Sequence, residues 1–153
     1  MIENFNINVK DEEISLLNKK IDLIRWPDEI NENWSHGTDL NFLKSFMGYW
    51  KNDFDWRKHE NKLNQVGSFK YLSKSGLKIH FLHSKSTLKN AIPLLMTHGW
   101  PGSVQEFIKI IPIIQKNSPF PIDIICPSLP GFGFSDKPIK PGMNSKEIAI
   151  IQH

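Results

Sequence analysis

One short stretch of the sequence combines a free backbone donor with residues that let other groups come close to the backbone. The stretch from Pro93 to Ser103 reads as an apolar strand that runs into a turn of glycine and proline. Gly99 and Gly102 allow close approach of a ligand, and Pro101 has no N–H. The nearest free donor is therefore the amide of Trp100. Because open α/β sheets bind ligands at the carboxyl ends of their strands, this amide could serve a binding or catalytic site.

The same residues also fit a connection that only joins a strand to a helix, and on their own they slightly favour that interpretation. A second loop of the same kind changes the balance. The apolar strand from Ile122 to Cys126 leads into Pro127 to Ser135, which is again rich in glycine and proline. Two such loops after two apolar strands are typical of a parallel α/β sheet with its site at one edge.

Helices are predicted in the first part of the chain, up to about residue 66. The apolar spacing predicts three amphipathic helices after a short extended lead at Phe5 to Val9. We expect Asp11 to cap the first, which runs to about Arg25, Thr38 or Asp39 to cap the second, and Asp55 to cap the third, which runs to about Gln65. Four of the five tryptophans lie in this region, and we expect them to be core residues.

The remaining residues predict part of a sheet. Phe69 to Phe81 alternates around a turn at Ser73 to Gly76, which predicts a hairpin. The strand from Ile92 to Thr97 is apolar on both faces, as in a buried parallel strand. A helix is expected from Val104 to Ile114, and Asn144 is expected to cap a last one.

We therefore expect an α/β protein of two parts. Residues 1–66 form a helical N-terminal segment, and residues 67–153 form a hairpin plus two parallel strands. Because the sequence stops inside the last helical pattern, at His153, without a closing cap or strand, we expect the second part to be an incomplete domain.

The composition limits the classes of function. With 39% hydrophobic and 23% charged residues, the chain fits a globular protein with a core. Its net charge of +3 comes from scattered lysines without a basic block, so nucleic-acid binding is not indicated. One cysteine permits no internal disulfide, and no signal or membrane-spanning pattern is present, so we expect a cytoplasmic protein without a membrane anchor.

Other residues with chemical potential have simpler interpretations. His80 and His83 are three apart on a strand and point to opposite faces, so a shared metal is not expected. Cys126 is interpreted as a small buried apolar residue. Asp123 and Asp136 are isolated carboxylates, interpreted as loop or capping groups. The sequence gives no cofactor and no metal site.

Several motifs, in this order, resemble the microsomal-type epoxide hydrolases, a group of α/β-hydrolase-fold enzymes that includes the juvenile hormone epoxide hydrolases. The resemblance extends from Phe5 to the end of the chain. The matching stretches are Arg25-Trp26-Pro27, Asp55-Trp56-Arg57, Glu60, Leu63-Asn64, Gly76 to Phe81, His98 to Ser103, Glu106-Phe107 and Pro127 to Ser135.

The resemblance implies a two-step reaction that converts epoxides to vicinal diols. An aspartate attacks an epoxide carbon while two lid tyrosines protonate the oxygen, and a histidine-activated water then hydrolyses the alkyl-enzyme ester. Hydrolysis forms a tetrahedral oxyanion, for which the Trp100 amide would be one donor and the amide after the nucleophile the other. The Trp100 indole would line the substrate pocket, and its bond to Pro101 would be cis. His98, Gly99, Pro101 and Gly102 would support the turn, with the His98 side chain holding it by hydrogen bonding.

The sequence differs from the family pattern in lacking the catalytic nucleophile. The family carries its nucleophile in a Gly-x-Asp-x-Gly elbow, and the sequence contains neither this pattern nor Gly-x-Ser-x-Gly. Neither Tyr49 nor Tyr71 lies where the family has its lid tyrosines, and no histidine matches its base. We therefore expect the chain alone to be inactive towards its small-molecule epoxide substrate.

Three hypotheses remain open from the sequence. The chain is part of an epoxide hydrolase, part of another hydrolase with the same turn such as a dehalogenase, or a short non-catalytic binding protein. In the fold that the resemblance implies, the strand Ile92 to Thr97 would have one open edge in this chain. We expect the isolated polypeptide to be poorly soluble or to self-associate through that edge.

Overall fold

The computed structural model describes residues 1–30 and 33–153. The helices and strands are, in chain order, β1 (Ile2–Asn4), α1 (Asp11–Asp22), α2 (Leu40–Asn52), α3 (Trp56–Val66), β2 (Ser68–Leu72), β3 (Lys78–Ser84), β4 (Ile92–Leu95), α4 (Ile110–Asn117), β5 (Ile122–Pro127) and α5 (Ser145–Gln152). They belong to two compact units, residues 8–58 and residues 1–7 with 59–153. The division into domains at residue 66 stays a prediction.

The larger unit is built on a mixed sheet, in which the described strands have the order β1-β2-β3-β5-β4. β4 is parallel to β5, and every other neighbouring pair is antiparallel. Leu82, Ile124 and Cys126 on the two inner strands β3 and β5 have no exposed surface. Burial of an aliphatic side chain of this size contributes about 1.5–3 kcal/mol. The predicted α/β class, the hairpin and the parallel pair are confirmed.

The first strand lies a few residues before the predicted extended lead. β1 pairs with β2 so that Ile2 lies opposite Tyr71. The segment that follows leaves the sheet, and Ile7 is buried there. The Asn64 side chain satisfies both backbone groups of Ile7, as a paired strand would. Its Oδ1 accepts the Ile7 N–H at 2.8 Å, and its Nδ2 donates to the Ile7 carbonyl at 2.9 Å.

The strand β4 is less buried than its sequence predicts. Ile92 is 50% exposed and Leu95 is 48% exposed. The prediction of burial on both faces is therefore wrong for this chain. The reason is position, because β4 is the outermost described strand and has a strand neighbour on one side only.

The predicted helix after the turn is divided into two pieces. Val104–Phe107 is a short 3₁₀ helix, and α4 begins only at Ile110. Pro112 lies at the third residue of α4, where a missing N–H costs nothing because the first turn has no internal acceptors for its donors. A continuous helix from Val104 would have placed this proline in the interior, so the helix restarts just before it.

The three predicted helices are present, with one different cap. α1 and α2 lie in the smaller unit, and most of α3 lies in the larger one. Asp39 caps α2 by accepting the Phe42 N–H at 2.7 Å, and Asp55 accepts the Lys58 N–H at 3.2 Å at the start of α3. Lys10, not Asp11, is the N-cap of α1. Asp11 lies in the first turn and forms an ion pair with Arg57.

The tryptophans of the smaller unit are not all core residues. Trp34 is 60% exposed, and its ring packs against Phe42 at a centroid distance of 5.0 Å. Trp26 and Trp50 are 36% and 37% exposed. The expectation that they are core residues is therefore wrong for these three.

Candidate functional site

The turn that follows β4 contains a backbone donor without a hydrogen-bond partner among the described residues. Its shape is set by a hydrogen bond from the Gly102 N–H to the Gly99 carbonyl at 2.7 Å, and the Trp100–Pro101 peptide bond is cis, as the resemblance implies. The Trp100 side chain is 83% exposed. No acceptor for the Trp100 N–H lies within residues 1–30 or 33–153. This amide is therefore available to a bound group at the carboxyl end of β4.

A side chain at Gly102 would displace the Glu106 carboxylate from its place at the start of the next helix. A Cβ on Gly102 would lie 1.5 Å from Glu106 Oε1. That carboxylate accepts the Ser103 N–H at 3.1 Å, while the Ser103 hydroxyl accepts the Gln105 N–H at 3.2 Å. This reciprocal capping box fixes the end of the turn to the 3₁₀ helix that begins at Val104.

His98 joins this turn to the second loop. The ring is buried, its Nε2 accepts the Leu129 N–H at 3.1 Å, and its Nδ1 faces the Gly99 carbonyl at 3.3 Å. Because Nε2 accepts, the ring proton lies on Nδ1 and can donate to Gly99. The edge of the ring packs on Phe132 at 5.6 Å between centroids. The role predicted for this side chain, holding the turn by hydrogen bonding, stays a prediction that these contacts support.

The loop after β5 is attached to β3 by hydrogen bonds. The Ser128 N–H donates to the His80 carbonyl at 2.8 Å, and the His80 N–H donates to Ser135 Oγ at 2.9 Å. Asp136 continues this attachment, since its carboxylate accepts the Lys78 N–H at 2.8 Å and its own N–H donates to the Lys78 carbonyl at 2.9 Å. Asp136 is thus a loop group, one of the two roles predicted for it.

The ring of His80 is fully buried between two serine hydroxyls. Its Nδ1 lies 2.8 Å from Ser128 Oγ and its Nε2 lies 3.0 Å from Ser68 Oγ. Burial, assisted by the nearby charge of Lys70, lowers the pKa of His80 from 6.5 to about 4. The ring is therefore neutral near pH 7, so one nitrogen donates to a serine and the other accepts from the second serine.

The other reactive side chains have structural surroundings. Burial raises the pKa of the Cys126 thiol to about 12, which leaves it protonated and inert. The Asp123 carboxylate accepts the Ser86 N–H at 2.7 Å and lies 3.6 Å from His83 Nε2. Within residues 1–30 and 33–153, no group of three or more His, Cys, Asp or Glu side chains could hold a metal ion.

The residues of the turn were predicted from the sequence, but the residues that support the turn were not. His98, Gly99, Trp100, Pro101 and Gly102 lie together, as expected from their spacing. Sequence reasoning did not connect the support from His80, Ser128, Ser135 and the Leu129 amide with this turn. His80 lies in β3 and the other three lie in the second loop, so the turn and its supports come from three separate stretches of the chain. The only available signal was that two of the serines lie inside the second glycine-rich loop.

Comparison with known proteins decides the family. The family model "Epoxide hydrolase N terminus" matches residues 2–107. The chain belongs to the epoxide hydrolase N-terminus family. The model of the alpha/beta hydrolase fold matches residues 92–150, which include both loops described above. The fold expected from the motifs is thus confirmed.

Named relatives agree with this assignment. A putative epoxide hydrolase of Stigmatella aurantiaca is 42% identical over 97% of this chain and 35% of the relative, and epoxide hydrolase 1 of Oryctolagus cuniculus is 40% identical over 98% and 35%. The chain therefore spans about a third of the length of these curated relatives. Neither relative is a dehalogenase or a non-catalytic binding protein by name, so those two hypotheses are not favoured.

Solved structures give the same fold. Juvenile hormone epoxide hydrolase of the silkworm Bombyx mori matches with a TM-score of 0.88 and 34% identity, covering 99% of this chain and 42% of that one. An epoxide hydrolase of Aspergillus niger matches with a TM-score of 0.81 and 29% identity, covering 93% and 38%. Within residues 1–30 and 33–153, no helix is both long enough and apolar enough to cross a membrane.

Proposed function

We propose that this chain supplies the helical segment and the oxyanion turn of an epoxide hydrolase, an enzyme that adds water to an epoxide to give a vicinal diol. The observation that carries the proposal is the Trp100 N–H, which has no acceptor among the described residues and follows a strand's carboxyl end in a chain of this family. Residues beyond those of this chain would supply the nucleophile, the base and the lid tyrosines.

The Trp100 amide would act in the second step of the reaction. Attack of water on the alkyl-enzyme ester places an electron pair on the carbonyl oxygen, and that oxyanion collapses with cleavage of the bond to the diol oxygen. A fixed N–H that points at this oxygen stabilises the charge as it develops. His98, Gly99, Pro101 and Gly102 would hold the amide in place, and the exposed Trp100 indole would form part of the pocket wall.

Partners and location follow from the same proposal. The partner would be a small-molecule epoxide, with no cofactor and no nucleic acid. The single cysteine favours a reducing compartment such as the cytoplasm. The outer edge of β4 would allow the isolated polypeptide to self-associate.

A fusion protein tests the proposed activity. Residues 1–153 are joined to the remaining sequence of the Stigmatella aurantiaca relative, in place of its matching segment. We expect the fusion protein to convert styrene oxide to its diol, as measured by chromatography. A fusion protein that melts cooperatively but forms no diol, while the intact relative does, would contradict the proposal.

A further inference from the structure

The peptide unit between Ser128 and Leu129 is held at both of its polar groups. Its carbonyl accepts the Ser135 hydroxyl at 2.7 Å, and its N–H donates to His98 Nε2 at 3.1 Å. A peptide unit is planar, so its carbonyl and N–H cannot reorient independently. A tilt at the Ser135 end therefore changes the hydrogen bond to His98, the residue that also faces the Gly99 carbonyl beside Trp100.

His80 contacts Ser128 and Ser135 from β3, on the other side of the loop. Its ring contacts the Ser128 side chain, its N–H holds Ser135 Oγ, and its carbonyl accepts the Ser128 N–H. The ring itself is fixed edge-on by Phe5 and Phe134, at centroid distances of 5.7 and 5.3 Å. No part of the residue is exposed, so it cannot touch a substrate in this structure.

We propose that His80 is a positioning residue for the Trp100 amide, acting through Ser128, the Ser128–Leu129 peptide and His98. The inference rests on the proposed function of the turn and adds a residue that lies on another strand. A buried, neutral imidazole suits this task, because it offers one donor and one acceptor in fixed directions. The hydroxyls of Ser68 and Ser128 lie within hydrogen-bond distance of the two ring nitrogens, one at each.

Removal of one oxygen atom tests the link. In the fusion protein, Ser128→Ala deletes the hydroxyl next to His80 Nδ1 and leaves both histidines in place. The matched control is Ser73→Ala, another buried serine hydroxyl, which accepts the Leu77 N–H at 3.2 Å in the β2–β3 turn and does not contact His80. Rapid-quench kinetics then separate formation of the alkyl-enzyme from its hydrolysis.

We expect an imbalance between the two steps in Ser128→Ala. Hydrolysis should slow on the order of tenfold, below the roughly 100-fold cost of a 1 Å misplacement, while alkylation stays within about twofold. Ser73→Ala should change neither step. An equal loss in both steps would overturn the proposal, because it is the result expected when the variant merely contains less folded protein. The same imbalance in Ser73→Ala would also overturn it, because Ser73 does not contact His80.

A second measurement does not depend on activity. Hydrogen exchange of the Leu129 amide should become faster in Ser128→Ala and stay unchanged in Ser73→Ala. Unchanged Leu129 protection in a folded Ser128→Ala protein would refute the path even if the fusion protein forms no diol. Should Ser128→Ala fail to fold, Ser128→Cys places a weaker hydrogen-bonding group at the same position and should show both effects to a smaller degree. Their absence in Ser128→Cys would equally overturn the proposal.

Discussion

His98 Nε2 accepts the N–H of Leu129 at 3.1 Å, and this hydrogen bond connects two loops that lie 31 residues apart in the sequence. Each loop leaves the carboxyl end of one strand of the parallel pair β4 and β5. The bond crosses between neighbouring strand ends and is shielded by the buried ring. The two loops are therefore expected to keep one relative geometry, with the Trp100 amide at their rim.

Replacement of His98 by phenylalanine should destabilise the fold without altering its shape. The change keeps a ring against Phe132 but leaves the Leu129 N–H without an acceptor, which costs about 1–3 kcal/mol. Urea unfolding of the fusion protein should show a lower midpoint with an unchanged slope. His36→Phe, at an exposed position, is the control and should have little effect. A midpoint equal to that of the parent would show that water replaces the lost acceptor.

The stability of the fold should fall in acid through His80. Its pKa is about 4 when folded and 6.5 when unfolded, so the unfolded chain binds a proton first as the pH falls. The contribution is complete above pH 6.5, declines between 6.5 and 4, and amounts to on the order of 3 kcal/mol. Unfolding curves of the fusion protein at pH 4 to 7.5 measure this slope.

The non-titrating variant His80→Gln separates this effect from that of the carboxylates. Acidic side chains titrate equally in both proteins, so the difference between the two stability profiles belongs to His80. We expect the variant to be less stable at pH 7 and to lose less stability on acidification. Parallel profiles over the whole range would mean that His80 is not held neutral by burial.

The sequence predicts interactions between residues that are close in the chain, but it does not predict interactions between residues that are far apart in the chain. The caps at Asp39, Asp55 and Asn144 were predictable because each acts on amides within three residues of itself. The open edge of β4 was expected from the resemblance, but the exposure of its side chains was not, because their burial depends on what lies beside the strand. His80 was interpreted through its distance from His83 along one strand, whereas its actual partners lie 12 and 48 residues away.

The isolated 153-residue polypeptide should not hydrolyse epoxides. It contains no Gly-x-Asp-x-Gly or Gly-x-Ser-x-Gly elbow, its thiol is buried and protonated, and the His80 and His98 rings are occupied by structural hydrogen bonds. Purified polypeptide is incubated with styrene oxide and compared with buffer alone. Diol formation above the buffer rate would require a nucleophile elsewhere in the chain.

The isolated polypeptide should also self-associate through β4. Ile92 and Leu95 are half exposed beside an open backbone edge, and such edges pair with other chains. Leu95→Lys places a charge at this edge and should shift sedimentation towards the monomer. Ile2→Lys is the matched control, because it charges β1 at the opposite end of the sheet. Equal effects of both variants, or a sharp monomer without either, would show that β4 is not the interface.

The role of the Trp100 amide can be tested by deleting one N–H. In the fusion protein, an ester bond replaces the amide at Trp100. The change keeps the indole, removes the N–H donor and makes the Gly99 carbonyl, which accepts the Gly102 N–H, a weaker acceptor. Loss of one oxyanion donor typically costs ~100- to 1,000-fold in rate. We expect that loss in hydrolysis of the alkyl-enzyme, measured by rapid quench, and a nearly normal rate of alkylation, because attack on an epoxide carbon forms no tetrahedral oxyanion on the enzyme.

The matched control is an ester at Gly102, whose N–H donates to the Gly99 carbonyl at 2.7 Å within the same turn. That replacement weakens the turn without removing the Trp100 donor. The rate of alkyl-enzyme hydrolysis should therefore fall less in the Gly102 ester than in the Trp100 ester. If the Trp100 ester instead slows alkylation and leaves hydrolysis intact, the amide is not an oxyanion donor. Trp100 would then act only through its indole, as a wall of the substrate pocket. The rate constants of alkylation and of hydrolysis, measured in the same experiment, distinguish these two roles.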